Sequence, residues 1–237
     1  MDLPHREMRE LGRAAASAPR PSASSGIYDE LRQRILSLEL PPGTSLLRTE
    51  LARQFDVSVT PLRDALQRLE ADGLVKIYPQ SRTVVTRIDT DLVHEGNFLR
   101  RALETEVIGR LAADGAADTI DRARSVVGLQ KQIGDDATQL RLFQELDDHF
   151  HRTLFDGIGR IAMHDLIRSR SGHLDRVRRL QRHSPEKIRA IIEGHLQILE
   201  AIEARDVRAA VATIRAHLHR EPDWVDEFRD QHRDYFA

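Results

Sequence analysis

Residues 57–75 read VSVTPLRDALQRLEADGLV. Leu62, Ala65, Leu66 and Leu69 recur there at helical spacing, which predicts one buried stripe, and the opposite face carries Thr60, Arg63, Asp64 and Gln67. Ser58 or Thr60 can cap this helix, and Pro61 falls in its first turn, where a missing N–H does no harm. Gly73 ends it. Working upstream, Thr49 to Phe55 forms a second, shorter helix that packs Leu51, Ala52 and Phe55, and Asp56-Val57 turns the chain between the two. Further back, Ile27, Leu31, Ile35 and Leu38 mark another helix, which must stop at Pro41-Pro42-Gly43 because the first proline pushes its predecessor out of the α region. Downstream, Leu74 to Tyr78 and Thr83 to Ile88 read as two strands around the turn Pro79-Gln80-Ser81-Arg82.

Helix, tight turn and helix in this order can place the first residues of the last helix in a DNA major groove, with the hairpin as a wing. Pattern alone is equally compatible with a small α+β module of other purpose. The stretch from Ile27 to Gln80, and VSVTPLRDALQRLEADGLV most specifically, resembles the DNA-binding domain of the GntR family of bacterial regulators. The resemblance implies that Arg63 contacts DNA from the recognition helix and Thr60 contacts phosphate or base. Candidate contacts are then Arg48 and Thr49 at the second helix, Ser58, Thr60 and Arg63 at the third, and Arg82 at the wing tip. Two positions depart from the family pattern: Val59 stands where most members carry Arg, and Arg82 where the wing usually has Gly. Val59 cannot form a bidentate bond to guanine but can pack on a thymine methyl, and Arg82 can act in the minor groove or on phosphate.

The bulk numbers are permissive. The 237 residues suffice for two modest cores, with 40% hydrophobic and 31% charged residues and a net charge of -2. A near-neutral total leaves DNA binding open, because what matters is whether Lys and Arg gather on one face. No cysteine occurs, which removes disulfides, thiolate catalysis and Cys-based zinc sites and suits a reducing compartment. With no apolar run near membrane length and no secretory signal at MDLPHREMRE, a cytoplasmic location is expected. Residues 12–26, GRAAASAPRPSASSG, have little to bury, so residues 1–25 are expected as a disordered tail, 26–89 as a winged helix-turn-helix, and 90–237 as an all-helical domain.

From Thr90 onward the apolar period is helical, with breaks at Asp114-Gly115, Gly134-Asp135, Gly157 to Gly159, Ser184-Pro185, Arg205-Asp206 and Glu221-Pro222. The expected fold class is therefore mostly α: a small α+β winged helix-turn-helix followed by an all-α antiparallel helical bundle. Asp147 and His151 share a face with Phe143, Phe150 and Leu154. His195 lies in the stripe of Ile188, Ile191, Ile192, Leu199 and Ile202, and His217 one turn after Ile214. Each alone reads more simply as a buried side chain with a hydrogen-bond partner. Together, one Asp and three His facing inward are costly unless a divalent cation satisfies them. Cation and Asp147 would leave a net positive site that favours an anion. Arg100, at the edge of the stripe Leu99, Leu103 and Val107, fits either the same cavity or a snorkelling surface position.

FLRRALETEVIGRLAA, LDDHFHRTLF and GHLQILEAIEARDVRAAVATIRAHL are similar in order and spacing to the effector domain of the FadR subfamily within GntR. That resemblance implies that Asp147, His151, His195 and His217 are metal ligands and that Arg100 lines the ligand cavity. It implies a homodimeric regulator, expected to be a repressor, on palindromic double-stranded DNA. A small carboxylate effector would bind at the metal, with zinc first and nickel, manganese and iron also compatible. Two alternatives stay open from the sequence: a metal-dependent enzyme acting on a small carboxylate, and a constitutive DNA-binding dimer. The arginine-rich stretch 160–182 fits a dimer face or a cavity wall equally.

Overall fold

The computed structural model describes residues 22–79, 82–134, 136–181, 184–220 and 223–237. Of the expected tail, residues 1–21 lie outside these, as do Gln80 and Ser81 of the wing turn, Asp135, and the break at 221–222.

The N-terminal unit begins earlier than apolar spacing suggests. Helix α1 (Ala23–Leu36) is capped by Ser22, whose side chain accepts the Ser25 N–H, so the chain is helical four residues ahead of Ile27. Leu38 falls beyond the helix, at a φ of 62°. Strand β1 (Ser45–Leu46) follows, then α2 (Arg48–Gln54), α3 (Val59–Ala71), β2 (Val75–Ile77) and β3 (Thr83–Val85). The sheet runs β1-β3-β2, antiparallel throughout, with Val75 opposite Val85 and Ser45 opposite Val84. Strand β1 is too short for period-2 reading; it exists because β3 offers it an open edge. Leu31, Ile35, Leu62, Ala65, Leu66, Leu69 and Leu74 form the core beneath the helices and wing.

The second unit is a helical bundle. Asp89 caps α4 (Thr90–Asp114) by accepting the Asp91 and Leu92 N–H groups. Then come α5 (Ala117–Ile133), α6 (Leu140–Gly157), α7 (Ile161–Arg170), α8 (Gly172–Leu180), α9 (Pro185–Glu203), α10 (Val207–His217) and α11 (Asp226–Gln231). Ser184 caps α9 and Asp206 caps α10 through their side chains. Packing joins α4 to α10, α5 to α6, α9 to α10 and α5 to α9. One core holds Ile108, Leu111, Phe143, Phe150, Ile198, Leu199 and Ile214. Each expected break among the described residues separates two helices; the stop between α7 and α8 at Ser171 was not legible.

A third, smaller core lies where the units meet, gathering Ile88, Val93, Leu174, Val177, Val225, Phe228 and Phe236. The chain end returns to the linker there: Ile88 N–H donates to Tyr235 O at 2.7 Å, and Ala237 N–H to Ile88 O at 3.0 Å. Ile88 and Phe236 form a parallel bridge, an extended contact in a portion expected to be purely helical. No described helix is long and apolar enough to cross a membrane.

Candidate metal centre and DNA-reading face

On α3, the residues that spacing assigned to the core are buried, with Leu62, Ala65 and Leu69 fully enclosed. Thr60, Arg63, Asp64 and Gln67 are exposed on the other face, and Val59 stands 63% exposed at the helix start. Ser58 takes the cap position without making a side-chain capping bond, which leaves its hydroxyl exposed. Thr49 is exposed and Arg48 half-buried at the start of α2. Exposed Arg82 lies over the Tyr78 ring at 5.5 Å. The far end of α3 is tied to α1: Tyr28 donates a short hydrogen bond to Asp72, and the Arg68 guanidinium covers the Tyr28 ring at 3.9 Å. Burial and Asp72 push the Tyr28 hydroxyl up to about 12, so it remains a donor.

Inside the bundle, Asp147 and His151 on α6, His195 on α9 and His217 at the end of α10 converge. One potential ligand atom from each lies within 4.8 Å of all the others. The three imidazole centroids stand 4.7, 5.3 and 5.5 Å apart. Asp147, His151 and His195 are buried, and His195 stacks on Phe150 at 3.9 Å.

Three of the candidate ligands have a close neighbour at their other polar atom. Gln130 lies 2.9 Å from Nδ1 of His195, Arg178 donates to Oδ2 of Asp147 at 2.6 Å, and Nδ1 of His151 contacts Oε2 of Glu104 at 2.6 Å. The remaining atoms are left over. Nε2 of His151 and Nε2 of His195 are buried without a well-formed hydrogen bond, the latter 3.4 Å from Asp147 Oδ1. Two orphaned imidazole nitrogens facing one carboxylate are what a nitrogen and oxygen metal site needs, because an unpaired buried polar atom otherwise costs about 1–3 kcal/mol. His217 fits only because its neighbour is glycine: a Cβ on Gly194 would lie 2.6 Å from His217 Nδ1. The donor set therefore fits a divalent cation.

Protonation agrees with that fit. Burial depresses His195, and Asp147 only partly offsets it; burial and the two neighbouring imidazoles hold His217 well below the usual histidine range. Burial alone would raise Asp147, but Arg178 and the histidines hold it well below the usual carboxylate range. Neutral imidazoles and an ionised carboxylate are the ligating forms.

Arg100 is buried beside this cluster and donates through Nε to Glu104 Oε1 at 2.6 Å, so it is not a snorkelling surface arginine. The two carboxylates Asp147 and Glu104 are thus matched by the two guanidiniums Arg178 and Arg100. A divalent cation would enter with its charge unneutralised.

Sequence reading missed Glu104, Gln130, Arg178 and Gly194. Glu104 carried a signal, one turn from Arg100 on the same face, whereas Arg178 was hidden among arginines of equal promise. Of the 160–182 stretch, residues 160–181 divide by helix, and Arg182 lies outside the described residues. His164 on α7 is buried 3.4 Å from Asp148, and Arg176 on α8 is fully buried between bundle and wing.

A winged helix-turn-helix joined to a helical bundle with an inward polar cluster is the architecture of a transcription regulator. Residues 23–85 match the family model for bacterial regulatory proteins of the gntR family, and residues 97–220 match the FCD domain. An HTH-type transcriptional regulator of Streptomyces ambofaciens is 34% identical over 89% of this chain and 88% of its own. The HTH-type transcriptional repressor RspR of Escherichia coli K12 is 30% identical over 92% of this chain and 96% of its own. The solved structure of E. coli McbR/YncC shares the fold, with a TM-score of 0.71 at 19% identity, covering 89% of this chain and 99% of that one. The chain belongs to the GntR family, with an FCD C-terminal domain, and it is a transcriptional regulator rather than an enzyme.

Proposed function

We propose that this regulator is a metal-dependent sensor of a small organic acid, acting as a repressor on a palindromic operator. The observation that carries this reading is the convergence of Asp147, His151, His195 and His217 with two orphaned imidazole nitrogens between them. Those four side chains would hold the cation. Zinc comes first, and nickel, manganese and iron share the same donor preference. When bound, the cation supplies an open, positively charged coordination position for a carboxylate.

The chain's own residues do the rest. Arg100 spends Nε on Glu104, leaving its two terminal nitrogens for the second oxygen of the effector carboxylate. Glu104, Gln130 and Arg178 keep the ligand side chains in orientation and the imidazoles in one tautomer. Phe150, stacked on His195, closes the site against water from one side.

At the other end, Thr60 and Arg63 at the start of α3 meet base edges, and Val59 packs on a thymine methyl. Arg48, Thr49 and Ser58 hold phosphates, and Arg82 reaches the adjacent groove or backbone. Residues 26–89 form the reading head and 90–237 the effector and dimerisation domain. Two copies place their recognition helices in successive major grooves of cytoplasmic DNA. RspR, named a repressor, supports the sign of regulation.

A thermal-shift screen of small carboxylates tests this, run on zinc-loaded and chelator-stripped protein. The expected result is a melting-point rise that needs both metal and acid. Equal rises with and without metal, or none with any acid, would contradict the reading.

A further inference from the structure

The metal ligand Asp147 and the DNA head are bonded to opposite ends of one short helix. At the C-terminal end of α8, Arg178 donates to Asp147 Oδ2 at 2.6 Å and Arg179 donates to Gln144 of α6 at 2.8 Å. At the N-terminal end, the same nine-residue helix grips the head. His173 Nδ1 accepts the Asp89 N–H at 2.9 Å, and its Nε2 lies 3.2 Å from the carbonyl of Gly73, the residue that ends α3. Accepting at Nδ1 fixes the neutral tautomer with the proton on Nε2, so the ring donates to Gly73.

Arg176 completes the grip. It is fully buried, and it donates through Nη1 to Thr86 O at 2.6 Å and through Nε to Gly172 O at 3.2 Å. A buried guanidinium held by carbonyls costs more than an apolar side chain of the same size. Core packing does not explain its place here. Arg32 of α1 adds a fourth tie, donating to Arg168 O at 2.6 Å and facing Asp175 at 4.0 Å.

Packing leaves this joint no slack. A Cβ on Gly172 would lie 2.6 Å from Leu74 Cδ2, the head residue just after α3, and a Cβ on Gly96 would lie 3.1 Å from Arg170 O. Close-packed contacts of this kind transmit a displacement instead of absorbing it. From Arg178 to His173 the rise is only about 7.5 Å of rigid helix.

We propose that α8 is the transmission element of this regulator, with Arg178 reading the state of Asp147 and His173 and Arg176 setting the seat of the recognition helix. The proposal rests on the reading that the cluster holds a cation. With the cluster loaded, Asp147 would be shared between the cation and Arg178, and its hold on Arg178 would change. The helix follows, and Gly73, Thr86 and Asp89 move with its other end. The differential contact required of any coupled pair of sites is then the Asp147–Arg178 bond at one end and the His173 clasp at the other.

Hydrogen exchange read by mass spectrometry on the full chain, metal-free and zinc-loaded, tests this without knowledge of operator or effector. Zinc occupancy is verified by native mass spectrometry. In the wild type, zinc should change exchange at peptides 72–75 and 86–93 by about fivefold or more, as well as on α6 and α9. In His173→Ala and in Arg176→Met at saturating zinc, whose sites both lie away from the cluster, the response on α6 and α9 should persist while that at the joint is lost. Joint responses retained in both variants, or a wild-type response confined to the bundle despite full occupancy, would overturn the transmission role alone. A wild type that takes up no zinc would overturn the metal reading and this proposal together.

Discussion

Gly194 and His173 show how much single positions decide. Gly194→Ala places a methyl 2.6 Å from His217 Nδ1, so that imidazole must leave the cluster while the helix itself gains propensity. Zinc affinity, measured by competition with a chelator, should fall by about 10–100-fold with the thermal melt of the metal-free chain preserved. An unchanged affinity would remove His217 from the ligand set. His173 gives a pH dependence. Burial and the neighbouring Arg176 push it down to about 4, while Asp89 acts in the opposite sense. Its unfolded-state value is about 6.5. Above that value neither state is protonated and the contribution is complete. As pH falls from about 6.5 towards about 4, the unfolded chain takes up a proton that the folded chain refuses, so stability declines. Melting temperatures of wild type and His173→Gln should therefore converge on acidification over that window; a constant gap would contradict the assignment. The convergence of Asp147, His151, His195 and His217 was legible because inward polar residues on an apolar stripe demand partners. Glu104, Gln130 and Gly194 were not, since what they do depends on which helix lies opposite.

Among elements, α3 was the most legible and the short pieces the least. Its stripe of Leu62, Ala65, Leu66 and Leu69 is buried as its spacing requires, and its outer face carries Arg63. Arg63→Ala should weaken operator binding by about 1–3 kcal/mol and relax base preference at one position. A gel-shift titration at fixed salt checks this, and unchanged affinity would take Arg63 out of the groove. Strand β1 escaped the sequence because two residues carry no period, and the start of α1 escaped because a serine cap, not an apolar residue, sets it. Helix α8 was hidden for a different reason. Arg176, Arg178 and Arg179 look alike in sequence, yet one is buried at the joint and the other two reach α6.

At the scale of the molecule, two cores that sequence could separate are joined by a third that it could not. Ile88, Leu174, Val177, Val225 and Phe236 come from the linker, α8 and the chain end, and only the folded chain brings them together. The joint lets a cluster in the bundle act on α3 without touching DNA. Coupling of about 1–3 kcal/mol between the two would suffice to change operator occupancy several-fold, and it must be reciprocal. All of this depends on the cluster holding a cation. Metal analysis of the purified full-length chain beside His195→Ala is the most direct measurement. One tightly held divalent ion per wild-type chain, lost in the variant, is the predicted result. A wild type that holds no more metal than the variant, and melts at the same temperature with and without chelator, would contradict it.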